Sequence, residues 1–340
     1  MAGEQRAGVW HKIAPALSLI VAAPLVAEVL PGATRVSAIF VFPIEMAVWG
    51  IGALFIRAAV RYWRLCWANM LLLAFALSLA EELLIQQTSL APLVIQIVKG
   101  EAYARAFGIN WLYLIWALGY ESVLVVLVPV MLTELIFPKR REAAWVSKGG
   151  VIVCAIIFAV GCFFAWFSWT QIARVKVFHL PAYTPPLFLT VLGGLLIAIL
   201  LFSALGPFAR GMARPASPLP PPPAFVIGLF AAVLAVLWYA LVIAAFRAWP
   251  NVPPHPLALG GVVLAITGGH LFGRWSAHPD WTAIKRYGVV SGAMIGSMAV
   301  GFVGFIGAGP LDLYGKAALD LIAVILLLIL GQRLTAAASR

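Results

Sequence analysis

Ten long apolar segments dominate the sequence and decide what the chain can fold into. An α-helix needs about 20 mostly apolar residues to cross the hydrocarbon core of a bilayer. Since lipid offers the backbone no hydrogen-bond partners, each spanning segment has to be helical. The sequence therefore predicts an all-α, polytopic integral membrane helix bundle of about ten transmembrane helices. The predicted helices cover residues 13–30, 36–57, 65–87, 110–136, 149–170, 185–205, 224–246, 256–273, 287–308 and 317–337.

Composition excludes the main alternatives. Only 10% of the 340 residues are charged and 64% are hydrophobic, whereas a soluble domain carries about 25% charged residues. A soluble fold of this size cannot hide so much apolar surface, which excludes soluble enzymes, secreted disulfide scaffolds and disordered chains. The three cysteines show no C-x-x-C spacing, so no disulfide is expected. No cofactor is predicted, and metal binding is left open.

Basic residues predict the orientation of the bundle. Most of the 23 Lys and Arg residues fall on one side if the helices alternate in direction. Because cytoplasmic loops are enriched in Lys and Arg, that side and both termini are predicted to be cytoplasmic. The net charge of +11 is then explained by contact with anionic headgroups rather than nucleic acid. We expect a multi-pass protein of a cell membrane, of the bacterial inner-membrane kind, with membrane lipids as partners.

A proline-rich segment at 206–223 interrupts the helical pattern. Consecutive prolines favour an extended polyproline conformation and exclude a helix. The segment is therefore predicted to be a cytoplasmic linker between a six-helix membrane part, 1–205, and a four-helix membrane part, 224–340.

Three glycines at four-residue spacing lie in the ninth predicted helix: Gly288, Gly292 and Gly296. Such a stripe lets another helix approach closely. The partner is either a helix of the same chain or the same stripe of a second copy, which would make a homo-oligomer.

Five glutamates lie inside or at the end of the first four predicted helices: Glu28, Glu45, Glu81, Glu82 and Glu121. Ionisable groups in a membrane are costly and are by default functional candidates. At 1.5 Å per residue, Glu121 lies roughly 16 Å from its helix end, whereas Glu28 falls at the outer surface. We expect these carboxyl groups to face a common water-containing interior.

Helical periodicity adds polar neighbours to these acids. Asn110, Tyr113 and Glu121 share one helix face, and Gln86 lies one turn after Glu82. Glu81, Glu82 and Glu121 are the candidate catalytic residues. The predicted substrate or proton site comprises Glu45, Gln86, Asn110, Tyr113 and Glu121. Proton transfer, cation binding and water activation are the possible functions; the alternative is a neutral carboxyl that ties helices together.

One further glutamate is assigned a structural role. Glu134 lies at the predicted cytoplasmic end of the fourth helix, close in sequence to Lys139 and Arg140. An ion pair with these basic residues at the membrane surface is expected there.

The segment Leu79-Ala-Glu-Glu-Leu-Leu-Ile-Gln86 resembles the first motif of the CPBP family, the CAAX-protease and bacteriocin-processing membrane proteins. The resemblance implies that Glu81 or Glu82 activates a water for peptide hydrolysis. Gln86 stands where that family has arginine. The family's second motif, Phe-x-x-x-His, is replaced by Trp116, Tyr120 and Glu121, and its third, His-x-x-x-Asn, has no match.

Two function classes follow from these observations. The favoured one is a transporter or permease for a small solute or ion, with the intramembrane glutamates as proton or cation sites. Pro43 and Pro129 would supply the broken helices that transporters often use. The alternative is a membrane-embedded enzyme acting on a lipid or peptide; an accessory subunit of a membrane complex is a third possibility.

Overall fold

The computed structural model describes residues 2–92, 102–207, 216–248 and 251–339. In this part of the chain ten helices are long and apolar enough to cross a membrane, as predicted. They are α1 Lys12–Val29, α2 Val36–Tyr62, α3 Trp67–Ile85, α4 Trp111–Ile136, α5 Lys148–Val177, α6 Leu187–Leu205, α7 Ala224–Phe246, α8 Pro254–Ser276, α9 Ala283–Phe305 and α10 Pro310–Ala338.

Two short strands lie in the connection between α3 and α4. β1, Arg105–Ala106, pairs antiparallel with β2, Ile109–Asn110. Of the predicted proline-rich linker, 208–215 lies outside the described residues, and 216–223 contains no helix. The division into a six-helix and a four-helix part stays a prediction.

Two helices extend beyond their predicted bounds because basic side chains inside them find backbone partners. α10 begins at Pro310 rather than 317, which places Lys316 inside it. The Lys316 ammonium is buried and donates to the carbonyl oxygen of Leu30 at 2.5 Å and to Asp320 at 2.8 Å. α5 likewise continues past Arg174, whose guanidinium donates to the carbonyl oxygens of Pro92 and Pro181. A long basic side chain that reaches such acceptors need not end a membrane helix.

The bundle has a central and a peripheral set of helices. Within an apolar 18-residue stretch of each helix, between 44% and 61% of the residues are buried in α1–α4 and α9, against 11% to 22% in the other five helices. The main apolar core accordingly runs through the central set, with Leu19, Leu54, Leu73, Val125 and Val290 among its members. The peripheral helices present large exposed apolar side chains, as expected of surfaces that face lipid.

The glycine stripe of α9 packs against α7 of the same chain. A Cβ atom on Gly288, Gly292 or Gly296 would overlap the carbonyl oxygen of Ala224, Gly228 or Ala232, respectively. The two backbones are in direct contact along this seam, so α7 occupies the surface that the sequence left open to a second copy.

This close approach predicts that Gly292→Ala destabilises the protein. The added methyl group has no space, and overpacking of this kind costs about 1–3 kcal/mol. The matched change is Gly194→Ala in α6, where no atom lies within 4 Å of the new Cβ. Thermal unfolding in detergent should show a lower midpoint for Gly292→Ala only. Equal midpoints for the two variants would contradict the direct contact between α7 and α9 at Gly292.

Candidate functional site

A π-helical segment contains or directly follows each of five glutamates: Glu28, Glu45, Glu81, Glu82 and Glu121. Glu28 lies within Leu25–Val29, Glu45 directly precedes Met46–Gly50, and Glu81 opens Glu81–Ile85. Glu121 opens the longer segment Glu121–Leu127. π-Helical turns are rare and are frequent at functional sites, although α5 and α7 carry such segments without an acid. The wider turns change which way the side chains after Glu45, Glu81 and Glu121 point.

The five carboxyl groups form one electrostatic cluster, which we call the acid cluster: Glu28, Glu45, Glu81, Glu82 and Glu121. Glu81 interacts with Glu82, Glu28 and Glu45. Glu121 lies beside Glu82 and Glu81 and next to Ser78 of α3. Four of the five are buried, and Glu28 is half-buried. Four different helices therefore bring their acids to the same place inside the bundle.

Glu82 is held by the turn that follows α3. Its Oε2 accepts from the backbone N–H of Ser89 at 2.9 Å and from the Ser89 hydroxyl at 2.5 Å. The Ser89 carbonyl oxygen in turn accepts from the backbone N–H of Asn110 at 2.8 Å. This turn is itself buried, with Ser89 and Leu90 fully inaccessible. It covers the acid cluster on the predicted outer side.

The remaining acids differ sharply in their hydrogen bonding. Glu45 accepts from the hydroxyl of Thr34, and Glu28 accepts from the Tyr120 hydroxyl at 2.9 Å. Neither carboxyl oxygen of Glu81 has a hydrogen-bond partner within the described residues, and one oxygen of Glu121 also lacks one. Unsatisfied buried polar atoms are uncommon in folded proteins, so Glu81 and Glu121 are the members that most need an explanation.

No cation balances the acid cluster in the part of the chain that the structure describes. The ion pairs found there involve other acids, and none joins Lys, Arg or His to these five glutamates. Among the same residues, no group of three or more His, Cys, Asp or Glu is arranged to hold a metal ion. Several unpaired negative charges in a low-dielectric interior are prohibitively costly. With the described residues alone, the acid cluster avoids this cost only when most of its carboxyl groups are protonated.

The polar neighbours predicted from periodicity take different positions. Tyr113 interacts electrostatically with Glu82 and Glu121 and so belongs with the acid cluster. Asn110 instead caps α4: its Oδ1 accepts from the N–H of Tyr113 at 3.1 Å, and its Nδ2 donates to Tyr103. Gln86 is half-buried, and its backbone N–H closes the π-helical turn onto the carbonyl of Glu81.

Tyr120 is the site residue that sequence reasoning missed, and Glu28 lies deeper than the surface position predicted for it. Glu28 was placed at the surface, but the chain after α1 turns back over it, with the N–H groups of Gly32 and Thr34 donating to its carbonyl oxygen. Gly32 adopts a φ of 89°, which this reversal requires and which favours glycine. The glycine that follows Leu30-Pro31 is the sequence signal that could have indicated the turn.

Tyr120 separates the acid cluster from a cavity of about 430 Å³. Its ring stacks on Trp116 at 4.7 Å and meets Tyr239 edge-on at 5.8 Å. Its hydroxyl points at Glu28 and at the carbonyl of Ala27. The cavity lies between α2, α3, α4, α7, α8 and α9, and none of the five acids is among its described lining residues. The common interior expected for the acids is thus closed, and the open space lies on the other side of Tyr120.

At the opposite end of this cavity, Glu134 forms the centre of an ion network. Its carboxylate accepts from Arg57 at 3.2 Å and Arg61 at 2.7 Å, and Arg141 lies 3.5 Å away. The expected partners Lys139 and Arg140 do not pair with it. The reason is geometric, because Arg57 and Arg61 lie one helical turn apart on α2 and face Glu134 across the bundle. We call the region around Arg57, Arg61, Arg141 and Glu134 the basic end of the bundle.

No family model, curated protein or solved structure matches the chain. The resemblance of Leu79–Gln86 to the CPBP motif accordingly stays a prediction.

Proposed function

We propose that the protein is a proton-translocating membrane transporter in which Glu81, Glu82 and Glu121 bind the transported protons. The observation that carries this proposal is the acid cluster without a balancing cation. Carboxyl groups are suited to such a role because each can hold or release one proton, and chains of intramembrane acids form proton relays in pumps and transporters.

The arrangement also supplies steps for a proton. Glu121 interacts electrostatically with Glu82 and Glu81, and Glu28 and Glu45 interact with the same group. Because like charges that interact in a buried site oppose each other's ionisation, the five carboxyl groups titrate as a coupled set. Thr34, Ser89 and Tyr120 supply hydroxyl groups at three of the acids.

Access to the acid cluster favours transport over an open active site. The buried turn around Ser89 covers one side, and the Trp116–Tyr120 stack separates the acids from the cavity. A site closed on both sides is the occluded state that alternating access requires, and the substrate site of many transporters lies at the same depth as interrupted helices.

A membrane-embedded hydrolase is the second candidate. The adjacent pair Glu81 and Glu82 supports it, because the free oxygens of Glu81 are suited to act as a general base. In that case the protein should show turnover of a lipid or peptide, lost in Glu82→Ala, and no proton flux.

Proton flux in liposomes tests the proposal. With valinomycin and a potassium gradient imposing a membrane potential, and a pH dye inside, the wild-type protein should pass protons. Glu121→Gln should lower this flux strongly, since a positioned proton-transfer group contributes typically about 10²–10⁴-fold. The control is Asp280→Asn, an exposed acid distant from the acid cluster. Equal flux in wild type and Glu121→Gln would contradict the assignment.

A further inference from the structure

The cavity beyond Tyr120 is long, narrow and apolar. It follows α4 from Gly119 to Glu134, a distance of roughly 22 Å at 1.5 Å per residue. Its volume of about 430 Å³ lies in the range of ligand pockets, about 300–1,000 Å³. Side chains such as Phe75, Met131 and Leu234 form its walls. This shape suits an extended hydrocarbon chain better than a compact polar solute.

Polar groups are confined to the two ends of the cavity. Tyr120 and Tyr239 close the inner end, and three arginines line the basic end together with Glu134: Arg61, Arg141 and Arg286. The charges at the basic end are not balanced. Arg61 and Arg141 pair with Glu134 and with Glu142, but the Arg286 side chain makes no ion pair within the described residues.

Arg286 is placed to receive an anion. It is half-buried in the first turn of α9, and its Nε is fully inaccessible and without a partner. Arg141 and Arg61 are among its nearest charged neighbours and repel it. A negatively charged group between these guanidinium groups would supply the missing hydrogen bonds and relieve the repulsion.

Part of the cavity wall formed by α8 consists of small residues. Ala265, Gly268 and Gly269 line the cavity beside the larger Leu264 and Phe272. Ala265 and Gly269 are exposed, and no atom lies within 4 Å of a Cβ built on Gly269. Neighbouring helices therefore do not close this part of the wall, which leaves room for a chain.

We propose that this cavity binds one chain of an anionic membrane lipid, with the charged headgroup at Arg61, Arg141 and Arg286. Basic pockets between membrane helices on the cytoplasmic side commonly hold anionic headgroups. A lipid chain gains little free energy by moving from the bilayer into an apolar cavity. The arginines therefore select the charged headgroup, and the cavity walls only hold the chain in place. That the bound lipid is also the transported substrate rests on the proposed function.

Native mass spectrometry of the purified protein tests this site. The probes are phosphatidylglycerol and phosphatidylcholine with identical chains, added separately in detergent. Wild type should retain one phosphatidylglycerol at a concentration that leaves phosphatidylcholine unbound. Arg286→Gln should weaken phosphatidylglycerol binding by about tenfold, or about 1.4 kcal/mol. Gly269→Phe should abolish it, because the ring occupies the open space in the wall.

Two matched variants separate the site from general effects of substitution. Arg274→Gln removes a neighbouring arginine outside the cavity lining, and Gly194→Phe adds a ring at an equally open helix position; both should bind as wild type does. A circular dichroism melt confirms that each variant is folded.

Three results would overturn the proposal: unchanged binding in folded Gly269→Phe, equal retention of the two lipids, or displacement of the lipid by an equal concentration of inorganic phosphate, which would identify a site for the headgroup alone. Lipid binding is measured without any transport. Bound lipid with no proton flux would therefore refute the transporter and leave the site standing.

Discussion

Replacement of Glu81 by leucine is expected to stabilise the protein while it abolishes proton flux. Both carboxyl oxygens of Glu81 are buried without a hydrogen-bond partner in the described structure, and an unsatisfied buried polar group costs about 1–3 kcal/mol. Leucine removes that cost at a similar volume. The thermal midpoint in detergent should rise, and the flux in liposomes should fall to that of empty vesicles. A gain in stability at the expense of activity is typical of functional residues.

Glu82→Leu is the control, and it is expected to lower the stability that Glu81→Leu raises. Glu82→Leu removes the acceptor of two hydrogen bonds and leaves the N–H and hydroxyl of Ser89 unsatisfied in a fully buried turn. We expect this variant to lose about 1–3 kcal/mol. The two changes are chemically identical and one residue apart. A loss of stability in Glu81→Leu as large as that in Glu82→Leu would show that Glu81 has a structural role.

Arg57→Met is expected to be the most destabilising single change at the basic end. The Arg57 side chain is fully buried and donates to Glu134 and to the carbonyl oxygens of Arg141 and Ala143. Its guanidinium also lies 3.2 Å from the ring centre of Trp145. The change leaves the two carbonyl oxygens without this donor and removes one of the three cations at Glu134, and each buried polar group left unsatisfied costs about 1–3 kcal/mol. The thermal midpoint of the purified variant measures this loss.

An exposed cation of the same region is the reference for this change. Lys139 lies at the surface of the loop after α4, and Lys139→Gln should leave the midpoint within experimental error. If Arg57→Met and Lys139→Gln have the same thermal midpoint, the network around Glu134 contributes little to stability. The double variant Arg57→Met with Glu134→Gln should recover part of the loss, since it removes both buried charges.

The sequence predicted the number of helices and the helices that carry the acids. Length and hydrophobicity determine which segments can span a bilayer, and this requirement does not depend on tertiary contacts. The gathering of Glu45, Glu82 and Glu121 follows from the same physics, since a carboxyl group that faces lipid is too costly. That expectation needed only the position of each glutamate along its helix.

Other features depended on geometry that a regular helix does not have. Of the predicted face that carries Asn110, Tyr113 and Glu121, Tyr113 lies with the acid cluster, whereas Asn110 caps the start of α4. Lys316 was assigned to a loop because it is charged, whereas its partners Leu30 and Asp320 are visible only in the folded chain. Tyr120 has no marker in the sequence, since its role comes from being packed between Glu28 and the cavity.

The position of Tyr120 has a thermodynamic consequence. The Tyr120 ring lines the inner end of the cavity, and its hydroxyl donates to Glu28 of the acid cluster. A molecule that fills the cavity and shifts this ring must alter how firmly Glu28 holds hydrogen ions. By reciprocity, acidity must then alter how tightly that molecule is held, by the same factor. The Tyr120 side chain would thus couple occupancy of the cavity to the protonation of Glu28.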